Sequence, residues 1–338
     1  MPAFSRREII AQGEIGAYHC MARCVRRAYL CGKDSLSGKN FEHRKDWVRD
    51  ALKRLASAFA IEISAFAVMD NHLHVILKQR PDLAANWTSE EVIRRWRLVF
   101  SSPVKTRAQR EALETKIEVE ALDSRLVRLR RDRLSDVSWF MRCLCEPIAR
   151  KANKEDGCKG RFWEGRFRSQ ALLDDAALLA CMAYVDLNPI RSGIAKTPEW
   201  SRNTSIYDRI CELRQPARKP ENARGCWLSP MGPAKTKHAN ERPVSESRAC
   251  GLTLQEYMEL LDWTGRQIRQ GKRGVIPSQL APIFERMKIQ TEGWLQVTQN
   301  FGRWFKHAAG SPISMAHHAR RTHRHWLQGI GPSKSVFL

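Results

Sequence analysis

The chain has 338 residues, 43% of them hydrophobic, and sets 58 Lys and Arg against 36 Asp and Glu, a net charge of +22. That length suggests roughly two domains, and the apolar fraction can bury a core, which excludes a chain disordered throughout. The charge argues against an ordinary metabolic enzyme and for a polyanionic partner, either nucleic acid or an anionic membrane surface.

The charge is uneven, with residues 260–338 alone holding +9. No apolar run reaches about 18 residues, so no membrane-spanning helix is expected. The N-terminal stretch lacks the apolar core of a signal peptide, which points to the cytoplasm. Ten cysteines at irregular spacings, without a CxxC pair, fit reduced thiols better than a disulfide scaffold.

Residues 15–30 open with strand-like alternation, which puts Tyr18, Cys20, Ala22 and Cys24 on one face and His19, Met21 and Arg23 on the other. Residues 41–59 read as an amphipathic helix with Trp47, Val48, Leu52, Leu55 and Phe59 near one stripe. Residues 61–69 and 72–77 read as two strands joined at Asp70-Asn71, a hairpin. Residues 87–135, rich in Arg, Glu and Leu, read as a helical insertion whose buried stripe would be Leu113, Ile117, Leu122, Leu126 and Leu129. A helix is predicted over 137–153 and an extended segment over 161–172. A further helix is capped by Asp174 and runs to about Asn188, where Pro189 stops it. Residues 211–250, rich in Pro, Lys and Arg, read as a linker. Residues 251–338 regain apolar periodicity around Trp263, Trp294, Phe301 and Trp304. They predict a small, basic, mainly helical C-terminal domain ending in a basic tail, HHARRTHRHW.

Three sets of residues can carry chemistry. His72 and His74 stand at i and i+2 of a strand, so both imidazoles face one way and can converge on an ion, with Leu73, Val75 and Leu77 buried behind them. Two ordinary half-exposed histidines would give the same spacing. Tyr184 and Asn188, four apart on a helix, share a face that Ala177, Ala180 and Cys181 keep small. On spacing alone, a core tyrosine and a helix-ending asparagine are the plainer reading. The block GRFWEGRFRS interleaves Arg161, Arg166 and Arg168 with Phe162, Trp163 and Phe167. Its arginines can hold phosphates while its aromatics stack on bases; equally, it reads as an edge strand with a buried aromatic face. Its glycines match no phosphate loop. Cys20, Cys24 and Cys31 with His19 fit no zinc-ribbon or finger spacing and read as structural. Lys272 and Arg273 either grip phosphates or sit on a solvated loop.

Taken together, four blocks in order, YHCMARC at 18–24, FAVMDNHLHVIL at 66–77, GRFWEGRFRSQ at 160–170 and AYVDLNPIRSG at 183–193, resemble the single-tyrosine HUH transposases, most closely the REP-associated tyrosine transposases of bacteria. The resemblance covers roughly residues 15–210, interrupted by the helical insertion at about 87–135; the part beyond about 210 lies outside it. It implies an α+β fold, a ferredoxin-like antiparallel sheet with packed helices, over residues 1–210. It implies His72 and His74 as metal ligands flanking Leu73, Asn188 as a third ligand, Mg²⁺ or Mn²⁺ as the cofactor and Tyr184 as the nucleophile. Arg23, Arg161, Trp163, Arg166, Arg168 and Arg191 would lie along DNA. The implied activity is cleavage and transfer of single-stranded DNA at or near REP-type hairpins through a 5′-phosphotyrosine. The implied setting is a nucleoid-associated cytoplasmic protein, monomer or homodimer, with single-stranded or hairpin DNA as partner, no membrane and no small-molecule cofactor. A non-catalytic hairpin-DNA-binding regulator on the same scaffold is the competing expectation.

Overall fold

The computed structural model describes residues 8–25, 31–32, 38–100, 105–214, 227–232, 250–270 and 277–338. Lys272 and Arg273, and most of the expected linker, lie outside the described residues.

The architecture is α+β. Strands β1 (Gly16–Arg23), β2 (Ile61–Val68), β3 (His72–Gln79), β4 (Arg168–Leu172) and the two-residue β5 (Ala308–Ala309) form one sheet in the order β2-β3-β1-β4-β5. The first four pair antiparallel, whereas β5 runs parallel to β4. The sheet is therefore mixed rather than purely antiparallel, because its fifth strand comes from the far C-terminal part of the chain.

Register decides what each face carries. Cys20 pairs with Val75, Ala22 with Leu73 and Tyr18 with Leu77, whereas His19 pairs with Ile76, Met21 with His74 and Arg23 with His72. Directly paired residues share a face, so one face is apolar and the other gathers histidine and arginine. Leu73, Val75 and Leu77 are wholly buried, as the alternation predicts, and burying each such side chain is worth about 1.5–3 kcal/mol. The β2–β3 hairpin turns at 69–71, where the Met69 N–H donates to the His72 carbonyl (2.9 Å).

Helix α1 (His43–Ala58) links β1 to β2 and buries Val48, Leu52 and Leu55, the stripe its periodicity predicts. Between β3 and β4 run α2 (Pro81–Ala85), α3 (Ser89–Phe100), α4 (Arg107–Leu122), α5 (Ser124–Leu134) and α6 (Val137–Glu155). The insertion is helical, but its predicted stripe fails. Ile117 is buried, whereas Leu122 and Leu129 are exposed, and Val127 and Leu134 are buried instead. Asp123 is the cause. Its side chain accepts from the Leu126 N–H (2.9 Å) and starts a new helix there. The rotational phase is reset, so one stripe cannot run through both helices. Arg44, wholly buried, ties the start of α1 to the end of α6 through Glu155 (2.6 Å) and Asp156.

Helix α7 (Asp175–Asp186) is capped by Asp174, whose Oδ1 accepts from the Ala177 N–H (3.0 Å). It stops two residues before the expected end. Leu187 leaves the helix, and α8 (Asn188–Arg191) begins with Pro189 in its first turn. Proline is tolerated there because its missing N–H would have no helical partner anyway.

Helix α9 (Ser205–Leu213) follows, then α10 (Leu254–Gln270), α11 (Ala281–Arg286), α12 (Thr291–Trp304), α13 (Pro312–Arg321) and α14 (Ile330–Lys334). These C-terminal elements are not set apart as a second core. They supply β5, pack α12 on α7, and share one apolar cluster with the sheet. Polar ties cross as well: the Ser311 N–H donates to Asp174 (2.7 Å), and the Tyr257 hydroxyl to Asp186 (2.7 Å). Trp294 and Phe301 are buried as anchors. Part of the expected basic tail is helix α13, whose Arg321 pairs with Glu14 (2.6 Å). No helix among the described residues is long and apolar enough to cross a membrane. No disulfide joins the described cysteines.

Candidate nucleophile and metal site

Helix α7 packs against β2, β3 and β4, and brings Tyr184 to the polar face of the sheet. The His72 and His74 rings stand edge to face with centroids 4.8 Å apart, and the Tyr184 ring meets His74 edge-on at 5.8 Å. Three of the four residues singled out from the sequence are thus brought together. Asn188, the fourth, is buried at the start of α8, one turn beyond Tyr184. Among the described residues no hydrogen bond joins its side chain to the histidines.

A fifth residue was not assigned to the site by its spacing. His19, wholly buried on β1, bonds His74 Nδ1 through its Nε2 (2.8 Å) and Gln170 Oε1 through its Nδ1 (3.3 Å). The chain Gln170–His19–His74 crosses three neighbouring strands, β4, β1 and β3. His19 and Gln170 are direct cross-strand partners, and His19 and His74 are diagonal ones. Alternation already put His19 on the face of Arg23. It could not say that the partner strand would be the one carrying His74.

Hydrogen bonding assigns the protons. A carboxamide oxygen only accepts, so Gln170 makes His19 Nδ1 the donor. Neutral His19 then accepts at Nε2 from His74 Nδ1–H, and the His74 Nε2 lone pair is left over. That atom is buried and unpartnered. His72 follows the same pattern, its Nδ1 donating to the Asn71 side-chain oxygen. Both imidazoles therefore have the δ nitrogen engaged and the ε nitrogen available, the arrangement of metal-bound histidines oriented by their neighbours.

Electrostatics agree. Burial pushes His19 and His72 down to about 4, the nearby Arg23 assisting at His72. Burial drives His74 well below the usual histidine value, with neighbouring His19 and His72 adding to it. All three are neutral near pH 7, as ligation requires. Among the described residues no group of three or more His, Cys, Asp or Glu is placed to hold a metal. A cation here would take two imidazoles and fill its shell with neutral or substrate oxygens, the Asn188 carboxamide being the neutral donor expected from the sequence. That donor set fits Mn²⁺, which accepts imidazole readily, better than Mg²⁺, which prefers oxygen.

Tyr184 is held from several sides. Phe301 of α12 lies 5.9 Å from its ring, and the Arg191 guanidinium stacks over it at 3.9 Å. The phenol pKa is raised: burial lifts it, and Arg191, close by and hydrogen-bonded to it, offsets only part of that lift. Arg191 is itself fixed, donating to the Thr298 carbonyl of α12 (2.7 Å). It sits within the site rather than on an open phosphate-binding surface. The helix is anchored below Tyr184 by Asp186, wholly buried, which accepts from Ser205 Oγ (2.5 Å), the Ile206 N–H (3.0 Å) and Tyr257 Oη (2.7 Å). Burial raises the Asp186 pKa against these three donors.

The basic-aromatic block divides. Arg161, Arg166 and Arg168 are exposed, while Phe162 and Phe167 are buried in the core. Trp163 is half-buried, its indole N–H donating to the Cys145 carbonyl (2.9 Å). The segment is stitched to the end of β1 by Val25 N–H to Phe162 O (2.9 Å) and Glu164 N–H to Arg23 O (2.8 Å). A cavity of about 470 Å³ opens there, lined by Ala22, Trp139, Met141, Trp163, Arg166 and Phe167 among others. Arg23, exposed, sits opposite His72 at the strand end. The two readings of the block thus apply to different residues: the phenylalanines are core, and the arginines face solvent.

No protein-family model matches the chain, and no curated protein matches it in sequence. Among solved structures, a REP-associated tyrosine transposase bound to a REP hairpin aligns with a TM-score of 0.37 and 15% identity, over 65% of this chain and 93% of that one.

Proposed function

We propose that the protein is a metal-dependent single-stranded DNA endonuclease and strand transferase that uses Tyr184 as its nucleophile. The observation that carries this reading is the convergence of His72, His74 and Tyr184, with ring centroids 4.8 and 5.8 Å apart, on the polar face of the sheet. The strand order β2-β3-β1-β4 is that of a split β-α-β-β-α-β, ferredoxin-like unit, the scaffold expected of an HUH nuclease.

In the proposed reaction Tyr184 Oη attacks the scissile phosphorus, forming a 5′-phosphotyrosine as the P–O3′ bond breaks. The phenol proton is given up and the departing 3′-oxygen takes one, so the step is neutral in protons. The bond energy is kept in the phosphotyrosine, and a 3′-hydroxyl can reverse the step and join strands. A free phenol, with a pKa near 10, is a weak nucleophile at neutral pH. Arg191 partly offsets this, and the burial that raises the phenol pKa further, by holding positive charge where phenolate charge develops. His72, His74 and Asn188 would hold Mn²⁺ or Mg²⁺, which would polarise the phosphate and neutralise developing charge. Gln170 and His19 keep His74 in the tautomer that leaves Nε2 open. Arg23, Arg161, Arg166 and Arg168 supply phosphate contacts and Trp163 a stacking face. The substrate we assign is single-stranded DNA folded into a REP-type hairpin.

The test is a labelled hairpin oligonucleotide with Mn²⁺. Wild type should give nicked product and a protein–DNA band that survives denaturation; Tyr184→Phe should bind the hairpin and give neither. Full cleavage in excess EDTA would overturn the metal assignment. The burial of Tyr184 under Arg191 and Phe301 favours a second reading, a hairpin-binding regulator without catalysis. Tight hairpin binding with no cleavage of any single-stranded substrate would select it.

A further inference from the structure

Gly302 lies in the last turn of α12 and shows no left-handed backbone angle. Nothing conformational therefore requires glycine there, and glycine weakens a helix relative to alanine. What the missing side chain provides is room. A Cβ built on Gly302 would stand 2.9 Å from Tyr184 Oη and 3.4 Å from Tyr184 Cζ. The first distance is shorter than real Cβ contacts allow, and the second is tight but tolerable. The Tyr184 hydroxyl therefore occupies the space a side chain at 302 would fill.

The same helix makes two further contacts around that side chain. Phe301 packs on the ring, and Thr298 fixes Arg191 through its carbonyl. The remaining charged or titratable neighbours, His19 and Arg23 of β1, His74 of β3 and Cys181 of α7, lie on elements of the first 210 residues.

We infer that α12 completes the nucleophile site, with Gly302 as a positioning residue whose bare Cα lets the Tyr184 hydroxyl reach its place beside Arg191. The inference rests on the reading of Tyr184 as the nucleophile, and it gives the C-terminal part, which lies outside the HUH-like blocks, a role in that reaction. Phe301 and the Arg191–Thr298 contact bracket the ring, and Gly302 sets how far the oxygen can advance.

The test is a double-mutant cycle in the full-length chain. An alanine replacing a helical glycine ordinarily raises the melting temperature. Here Gly302→Ala should lower it with Tyr184 present and raise it in a Tyr184→Phe background, where the clashing oxygen is gone. If Gly302→Ala alone does not fold, recovery of folding by Gly302→Ala/Tyr184→Phe gives the same answer. In catalysis, the rate of covalent adduct formation should fall by about 100-fold, the scale of a 1 Å misplacement, with hairpin affinity unchanged. A rise in melting temperature in both backgrounds, or an adduct rate equal to wild type, overturns the inference. A sign reversal in a protein that forms no adduct at all would keep the positioning of Tyr184 and reject its role as nucleophile.

Discussion

His19→Phe isolates the contribution of the imidazole chain. The substitution roughly conserves shape and buried apolar area, so cavity costs stay small. It removes both hydrogen bonds of a wholly buried residue, at 2.8 and 3.3 Å, and leaves His74 Nδ1 and Gln170 Oε1 buried without those partners. Each orphaned group costs about 1–3 kcal/mol, so the loss at pH 7 is about 2–6 kcal/mol. The loss also depends on pH with a definite sign. The folded-state pKa of His19 is lowered by burial from 6.5 to about 4. Between those values the unfolded chain binds a proton that the folded chain does not, so stability rises with pH and is complete above about 6.5. From pH 6.5 down to pH 5 this residue takes about 2 kcal/mol from the wild type. Phenylalanine does not titrate, so the gap between the two proteins should narrow by about that amount at pH 5. Urea unfolding at pH 7 and pH 5 measures both terms. Mn²⁺ affinity should fall about 10–100-fold, as expected when a histidine ligand loses its orienting partner. A gap below about 1 kcal/mol, or one that does not narrow with acid, would refute the chain of bonds.

Tyr257→Phe removes one of three donors from buried Asp186 and should cost about 1–3 kcal/mol in denaturant unfolding; a loss within error would show that the carboxylate is served otherwise. Arg191→Gln should slow adduct formation strongly with little change in hairpin affinity, because Arg191 lies over Tyr184 and is tied to Thr298; a pure affinity loss would mark it as a phosphate grip instead. Trp163→Ala should weaken single-stranded DNA binding by about 1–3 kcal/mol if a base stacks on it, read by fluorescence anisotropy against a duplex control. Arg161→Ala should lower the salt dependence of log K by about 0.7, one single-strand phosphate, whatever the sequence.

Local periodicity carried much of the fold. The β2–β3 hairpin, α1 and the Asp174 cap follow from alternation, a helical stripe and a capping residue, each read within a dozen residues. The failures came where a single polar residue or a distant segment overrode the local pattern. Asp123 splits the insertion by capping a second helix, and a stripe drawn across it has no physical continuity. Leu187 ends α7 before Asn188, so the shared helical face expected of Tyr184 and Asn188 is not one helix. Strand β5 depends on residues 308–309 reaching β4 from far along the chain, which no short window can reveal. The site divides in the same way. His72 and His74 were legible because i, i+2 spacing is a property of one strand. His19 and Gln170 needed the register of β1 with both neighbours. Gly302 needed the packing of α12 on α7.

Mass spectrometry of the trypsin-digested protein, after reaction with a hairpin oligonucleotide and Mn²⁺, tests the central claim most directly. The predicted result is a nucleotide adduct through a 5′-phosphate on Tyr184, in the peptide spanning residues 169–191, absent from His72→Ala and Tyr184→Phe. An adduct on any other residue, or DNA cleavage with no covalent intermediate, would contradict it.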